Sequence, residues 1–263
     1  MQATSAIYTR GHTKYHGNRL ALRGLDLDSP WGQVLSVFGP NGSGKTTLVR
    51  LLSGLSRATS GSIRIAGLNP ETNGAAVRQV LGVLTHKTFL YDDLTVLENL
   101  TIAPRRARKM SKEEANKLAM EYLERVRIPE QASKYPSQLS GGMSKRLALA
   151  RAMMFKPGVL LMDEPFSSLD APAAESLRQC VLSLKATSPF SIIYVTHDLK
   201  EAVAIADRVL ILDANPMTLK HQEFITLPRP RYLHDKAVSD VCEPLYRAWP
   251  ELLYGNADER KTM

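Results

Sequence analysis

Residues 39–46 read Gly39-Pro40-Asn41-Gly42-Ser43-Gly44-Lys45-Thr46, and their types and order suit one task, holding a polyphosphate. Phosphate oxygens need convergent backbone N–H donors. Glycines let the main chain curl until successive N–H groups point inward, and a following helix adds the positive end of its dipole. The Lys45 ammonium would neutralise the β- and γ-phosphates, the Thr46 hydroxyl would coordinate a magnesium ion, and Thr47 follows as a further nucleotide-binding residue.

Such a site also needs acids. Val159 to Met162 is an apolar run ending in Asp163-Glu164. Alone, that pattern describes a strand end meeting solvent. Beside a phosphate loop, it places carboxylates at the C-terminal edge of a sheet, where the loop also sits. Asp163 then holds magnesium through water, and Glu164 orients or deprotonates an attacking water, since phosphoryl transfer chiefly requires positioning and charge stabilisation. Between these segments lies Leu139-Ser140-Gly141-Gly142-Met143, ahead of a helical pattern with Leu147, Ala150 and Met154 on one face. A serine capping a helix at a Gly-Gly turn makes a further anion site.

These residues require an α/β scaffold. Strand-like runs at Val34 to Phe38, Ser62 to Ala66 and Val80 to Leu84, with a helix through Leu48 to Leu52, precede three more at Val159 to Met162, Ser191 to Val195 and Val209 to Leu212. The later runs are compact and apolar, as expected for strands buried on both faces. The expected sheet is mixed with a parallel core. Between the two sets the period becomes helical: Ser111 and Glu114 form a capping box, followed by Ala115, Leu118, Ala119, Tyr122, Leu123 and Val126 at helical spacing. The sequence therefore predicts a core of 1–84 and 157–226, a helical insertion over 85–156, and a tail over 227–263 partly packed on the body.

With the motifs in this order, the sequence resembles the ABC ATPase family over roughly Tyr8 to Glu223. The resemblance implies a P-loop NTPase with a RecA-like core that hydrolyses ATP with magnesium. Leu139 to Met143 stands where the family has LSGGQ, with Met143 in the last place. In the family this signature completes the ATP pocket of the opposite subunit, so a head-to-tail dimer, most simply of two identical chains, is implied. Asp170, in Ser167-Ser168-Leu169-Asp170, matches the loop that communicates across that dimer. His197, within Thr-His-Asp, matches the switch histidine at the γ-phosphate, and Tyr15 the aromatic residue that stacks on adenine, with Tyr8 the weaker alternative. One departure stands out: the family's usual glutamine is replaced within Thr85-His86-Lys87. His86 offers a nitrogen for magnesium or a proton for water, but its charge depends on pH as glutamine's does not.

Composition sets the setting. The chain has 263 residues, 44% of them hydrophobic, with formal charge +8. That excess admits a nucleotide, a membrane surface or nucleic acid as partner. The two cysteines form no CxxC pattern, which argues against a disulfide framework or a zinc site. No apolar run reaches the ~18 residues that span a bilayer, and residues 1–14 lack a signal-peptide stretch. The expectation is a cytoplasmic protein held at the inner face of the cell membrane by separate transmembrane permease subunits, with a substrate-binding protein as a further partner and no nucleic acid. No heptad stretch supports a DNA-repair ATPase.

Tyr135-Pro136-Ser137-Gln138 before the signature, the stretch from Val195 to Ala202, and Leu227-Pro228-Arg229-Pro230-Arg231 resemble ATPases of nitrate, sulfonate and taurine importers. Import of a small anion or sulfonate-like solute is the reading these imply. Gly141 to Arg146 also resembles lipid-transport ATPases, the His86 position heme-exporter ATPases, and an ATPase of iron-sulfur assembly is an alternative of another class. Arg105, Arg106, Arg108 and Lys109 form a basic run read as a solvated face.

Overall fold

The computed structural model describes residues 5–214 and 216–250. The chain divides into two units, Met1–Arg78 with Ser191–Met263, and Gln79–Phe190. The first unit opens with β1 (Ser5–His16) and β2 (Arg19–Pro30), followed by β3 (Val34–Phe38), α1 (Lys45–Leu52), β4 (Ser60–Ile65) and α2 (Gly74–Val80), which carries the chain to the second unit. There follow β5 (Leu81–Thr85), α3 (Val96–Ala107), α4 (Lys112–Arg125), α5 (Gly141–Met153), β6 (Val159–Asp163) and α6 (Ala171–Thr187). The chain returns to the first unit with β7 (Ser191–Thr196), α7 (Leu199–Ile205), β8 (Arg208–Asp213), β9 (Thr218–Phe224) and α8 (Lys236–Ala248).

Within the first unit, four strands run in the order β7-β3-β8-β9, parallel except for β9. Every residue of β3 and β7 is buried, which is why both are mainly apolar on both faces rather than alternating, with Ser36, Ser191 and Thr196 the polar exceptions. Each fully buried Val, Leu or Ile side chain contributes about 1.5–3 kcal/mol. A separate antiparallel sheet has the order β2-β1-β4.

The sequence pattern predicts neither β1 and β2 nor β9 and α8. In β1 the alternation fails because the register with β2 shifts at several points, one of them between Thr9 and His12, where Gly11 has φ +56. β9 is a mostly half-exposed strand, so it lacks the apolar run that marks β3 or β7.

In the second unit β5 and β6 pair in parallel, and α3, α4 and α5 lie between them in the chain. The Ser111–Glu114 capping box forms as the sequence predicts, and Thr95 with Glu98 makes an equivalent start for α3. Of the basic run, Arg108 lies over the Phe155 ring and donates to the Phe155 carbonyl.

The described part of the tail, up to residue 250, folds back on α7. Helix α8 buries Val238, Cys242 and Leu245. The Arg231 guanidinium, 3% exposed, donates to the carbonyls of Val203 and Ala206 at 2.9 and 2.8 Å. Arg229 donates to Ile205 O at 2.7 Å and pairs with Asp207 at 2.8 Å. The Leu-Pro-Arg-Pro-Arg segment thus serves the last carbonyls of α7, which have no partner inside the helix. Burial, and then repulsion from Arg229, lowers the Arg231 pKa to about 10.

His12 is only 1% exposed, and neither ring nitrogen has a hydrogen-bond partner. Burial lowers its pKa, and the nearby Glu71 carboxylate opposes that shift without cancelling it. The folded state therefore favours the neutral ring. Stability should be complete above the unfolded value of ~6.5 and be lost progressively as pH falls from there to the depressed folded value. Urea unfolding across pH 5–8 is expected to show this loss in the parent and not in His12→Leu. Parallel stability profiles for the two proteins would mean that His12 does not carry it.

Candidate functional site

In the first unit, the phosphate loop connects β3 to α1. Gly44 caps α1 with φ 101 and ψ 9, a left-handed conformation that only glycine adopts without strain. A Cβ there would also meet Met217 Cε at 3.0 Å and Ala21 O at 3.2 Å. Lys45 is 5% exposed, and its ammonium donates to Gly39 O at 2.8 Å and Pro40 O at 2.9 Å. Asn41 and Gly42 are exposed, Pro40 and Thr47 half-buried, and Thr46 exposed, while Leu48, Val49, Leu51 and Leu52 anchor the helix in the core. The Ser43 hydroxyl is buried and without a partner. A sequestered donor of this kind within a curl of N–H groups suits a phosphate oxygen.

Two further predicted residues belong to this unit. Tyr15 lies on β1, opposite Leu20, and is 43% exposed. His197 is exposed, immediately after β7. Its neighbours fix its backbone: Asp198 caps α7 by accepting from Lys200 N and Glu201 N, and the Glu201 carboxylate accepts from Tyr194 Oη at 2.7 Å and Thr196 Oγ1 at 2.9 Å. Tyr194 and Glu201 carry no signal in the sequence, because nothing in their spacing shows that a strand hydroxyl will meet a helix carboxylate.

The second unit carries the remaining predicted residues. Asp163 ends β6, 6% exposed, and is paired in register with Thr85 of β5, so His86 follows at the same strand edge. Glu164 has φ +44, unusual for a residue with a side chain, and its carbonyl accepts from Ser167 N at 3.2 Å and Ser167 Oγ at 2.8 Å. A left-handed residue costs about 1–2 kcal/mol, and such strain concentrates at functional positions. Asp170 caps α6, accepting from Ala173 N at 2.7 Å.

Ser140 caps α5, accepting from Met143 N at 3.3 Å. Gly141 and Gly142 form the first turn, and Cβ atoms there would meet only Leu169 Cδ2 at 3.8 Å and Ala173 Cβ at 3.6 Å, both ordinary contacts. Neither glycine has positive φ. Among the described residues nothing crowds a Cβ at either position, so the start of the helix is left bare. The half-buried Met143 directly follows them.

Magnesium favours oxygen ligands and keeps several waters, so one carboxylate with a hydroxyl and substrate phosphates is a sufficient set. Thr46 and Asp163 fit that chemistry. The His86 imidazole fits it less well, because nitrogen donors suit zinc, copper and iron better. Among the described residues no group of three His, Cys, Asp or Glu side chains could hold a metal by itself.

The ABC transporter family profile matches residues 22–167. The chain is 44% identical over 209 residues to the glutamate transport ATP-binding protein GluA of Corynebacterium glutamicum, covering 78% of this chain and 86% of the relative. It is 41% identical over 206 residues to the sulfate/thiosulfate import ATP-binding protein CysA of Escherichia coli, covering 76% and 55% respectively. Among solved structures, the dimeric post-hydrolysis state of the ATP-binding cassette MJ0796 bound to ADP and Pi matches with TM-score 0.74 and 27% identity, covering 84% of this chain and all of that one. These relatives carry the names of glutamate and of sulfate or thiosulfate, which corrects the expected kinship with nitrate, sulfonate and taurine ATPases.

The Gly44 geometry yields a direct test. Gly44→Ala should destabilise the protein by about 1–2 kcal/mol through the left-handed backbone alone. It should also weaken binding of a fluorescent ATP analogue. Parent affinity in the variant would show that the loop tolerates another conformation.

Proposed function

The chain belongs to the ABC transporter family and is an ATPase, and from that premise we propose that it couples ATP turnover, at the interface of two copies, to import of a small anionic solute through separate transmembrane subunits. The observation that carries the proposal is the N-terminus of α5, where Gly141 and Gly142 leave the helix end bare. A second copy supplying its phosphate loop provides the group that end is built to meet. The dimer of the MJ0796 cassette supports this arrangement by similarity. No helix among the described residues is long and apolar enough to cross a membrane, so in this reading the permease is another chain, and the ATPase sits at its cytoplasmic face.

In this reading each predicted residue has a role. Gly39 to Thr47 bind the phosphates, with Lys45 the cation closest to the loop carbonyls and Tyr15 the exposed ring offered to adenine. Thr46 and Asp163 would hold magnesium, which when bound offsets charge on the β- and γ-phosphates. Glu164, its backbone held by Ser167, orients the attacking water and accepts its proton. His197, kept in place by the Asp198 cap, faces the γ-phosphate. His86 links the site to the permease, and Asp170 with Ser140 to Met143 serves the partner copy. The anionic character of the solute rests on the names of the two relatives, glutamate and sulfate. Both relatives favour transport over iron-sulfur assembly, and neither favours the lipid or heme alternatives.

Glu164→Gln preserves size and removes the base. It should bind ATP normally while hydrolysis slows by ~10² to 10⁴. Trapped with ATP, the variant should double in apparent mass by light scattering, and adding Ser140→Arg should abolish that doubling. Unslowed turnover would remove Glu164 from its role. A dimer indifferent to Ser140→Arg would refute the composite site.

A further inference from the structure

The loop after β5 has its carbonyls held in an unusual way. Lys145 of α5 donates to the carbonyls of Thr85 and His86. Arg151, near the other end of α5, donates to Thr88 O at 2.6 Å and Phe89 O at 2.7 Å. The carbonyl between them, that of Lys87, accepts from Thr85 Oγ1 at 2.6 Å. Five successive main-chain acceptors, from Thr85 to Phe89, are therefore engaged by side chains, and four of them by two cations of one helix.

Neither cation is surface decoration. Lys145 is 4% exposed. A buried ammonium is costly unless its donors are met, and here carbonyl dipoles meet them. The loop itself is not regular structure, and Phe89, 69% exposed, is held at φ +49. At its N-terminus the same helix carries Ser140, Gly141 and Gly142. Loop and signature turn border one cleft of about 550 Å³, whose lining includes His86, Phe89, Gly141 and Ser144.

We propose that Lys145 and Arg151 are positioning residues that fasten the His86 loop to α5, so that any displacement of the signature turn carries His86 and Phe89 with it as one body. The clamp deepens the function proposed above and rests on it for the importance of His86 and Ser140. Ammonium and guanidinium groups suit the task because they reach several carbonyls at once, whereas a neutral side chain of similar length offers fewer donors. The consequence is mechanical. A partner copy engaging the α5 N-terminus would shift the loop without any further conformational step, because interlocked elements move between discrete arrangements rather than deforming.

The test reads loop and turnover separately. A nitroxide attached at Lys87→Cys reports loop mobility by electron paramagnetic resonance, and the native Cys180 and Cys242 do not compete, being 2% and 1% exposed. Lys145→Met keeps the buried stem and removes the donors. The label should become more mobile, and kcat should fall roughly 10- to 10²-fold with KM for ATP within about twofold, as expected for misplacement rather than lost binding. Lys145→Gln, which retains an amide donor, should recover part of both, and Arg151→Lys should loosen the label even if Lys145→Met folds poorly. An immobile label in the folded variants, or a loss confined to KM, would overturn the clamp. If the parent itself hydrolyses no ATP, the proposed function fails, while label mobility still decides whether α5 holds the loop.

Discussion

A backbone N–H or C=O removed from water must find a partner, and the structure is organised by where that demand is met and where it is left open. Strands β3, β7 and β8 meet it in their ladders. Helix starts meet it with Ser111, Ser140, Asp170 and Asp198. In the loop before α1 the buried Ser43 hydroxyl is left without a hydrogen-bond partner. Gly42 and Gly44 are called for by their left-handed backbone, whereas Gly141 and Gly142 meet no such demand and leave the start of α5 uncrowded.

The same demand changes how the positive charge is understood. A formal charge of +8 admits a nucleic-acid partner. Yet several of the cations face inward: Lys45, Lys145, Arg151, Arg208 and Arg231 all donate to main-chain carbonyls of their own chain. A cation spent on a carbonyl neutralises no carboxylate, so it raises the net charge without adding to an exposed basic face. Part of the excess is therefore structural.

Much of the site was legible because its chemistry is local. A phosphate loop, an apolar strand ending in Asp163-Glu164, and a serine cap before glycines each fit within a few residues, and the strands that carry them are apolar enough to be read directly. What escaped depends on contacts distant in sequence. β1 and β2 were missed because bulges break their alternation, and β9 because its burial is partial. The clamp by Lys145 and Arg151 spans about sixty residues, and no local pattern distinguishes these cations from solvated ones. The Leu-Pro-Arg-Pro-Arg segment was visible as a resemblance, but its physical use, partnering the end of α7, required the fold. The finer kinship inferred from such segments was the part that failed, which is reasonable if they serve helix ends rather than a transported solute.

The capping of α7 from the tail has a bearing on biosynthesis. Helix α7 begins just after His197 and ends on carbonyls that Arg231 reaches across 28 and 25 residues. A ribosome adding 5–20 residues each second completes that interval in roughly 1–6 s. For that time the nascent chain holds the segment that orients His197 without the guanidinium that closes it. Closure of α7 is thus a late event in the life of each new polypeptide, and an incompletely translated chain would carry the loop after β3 and the acids at the end of β6 before it carried a finished α7.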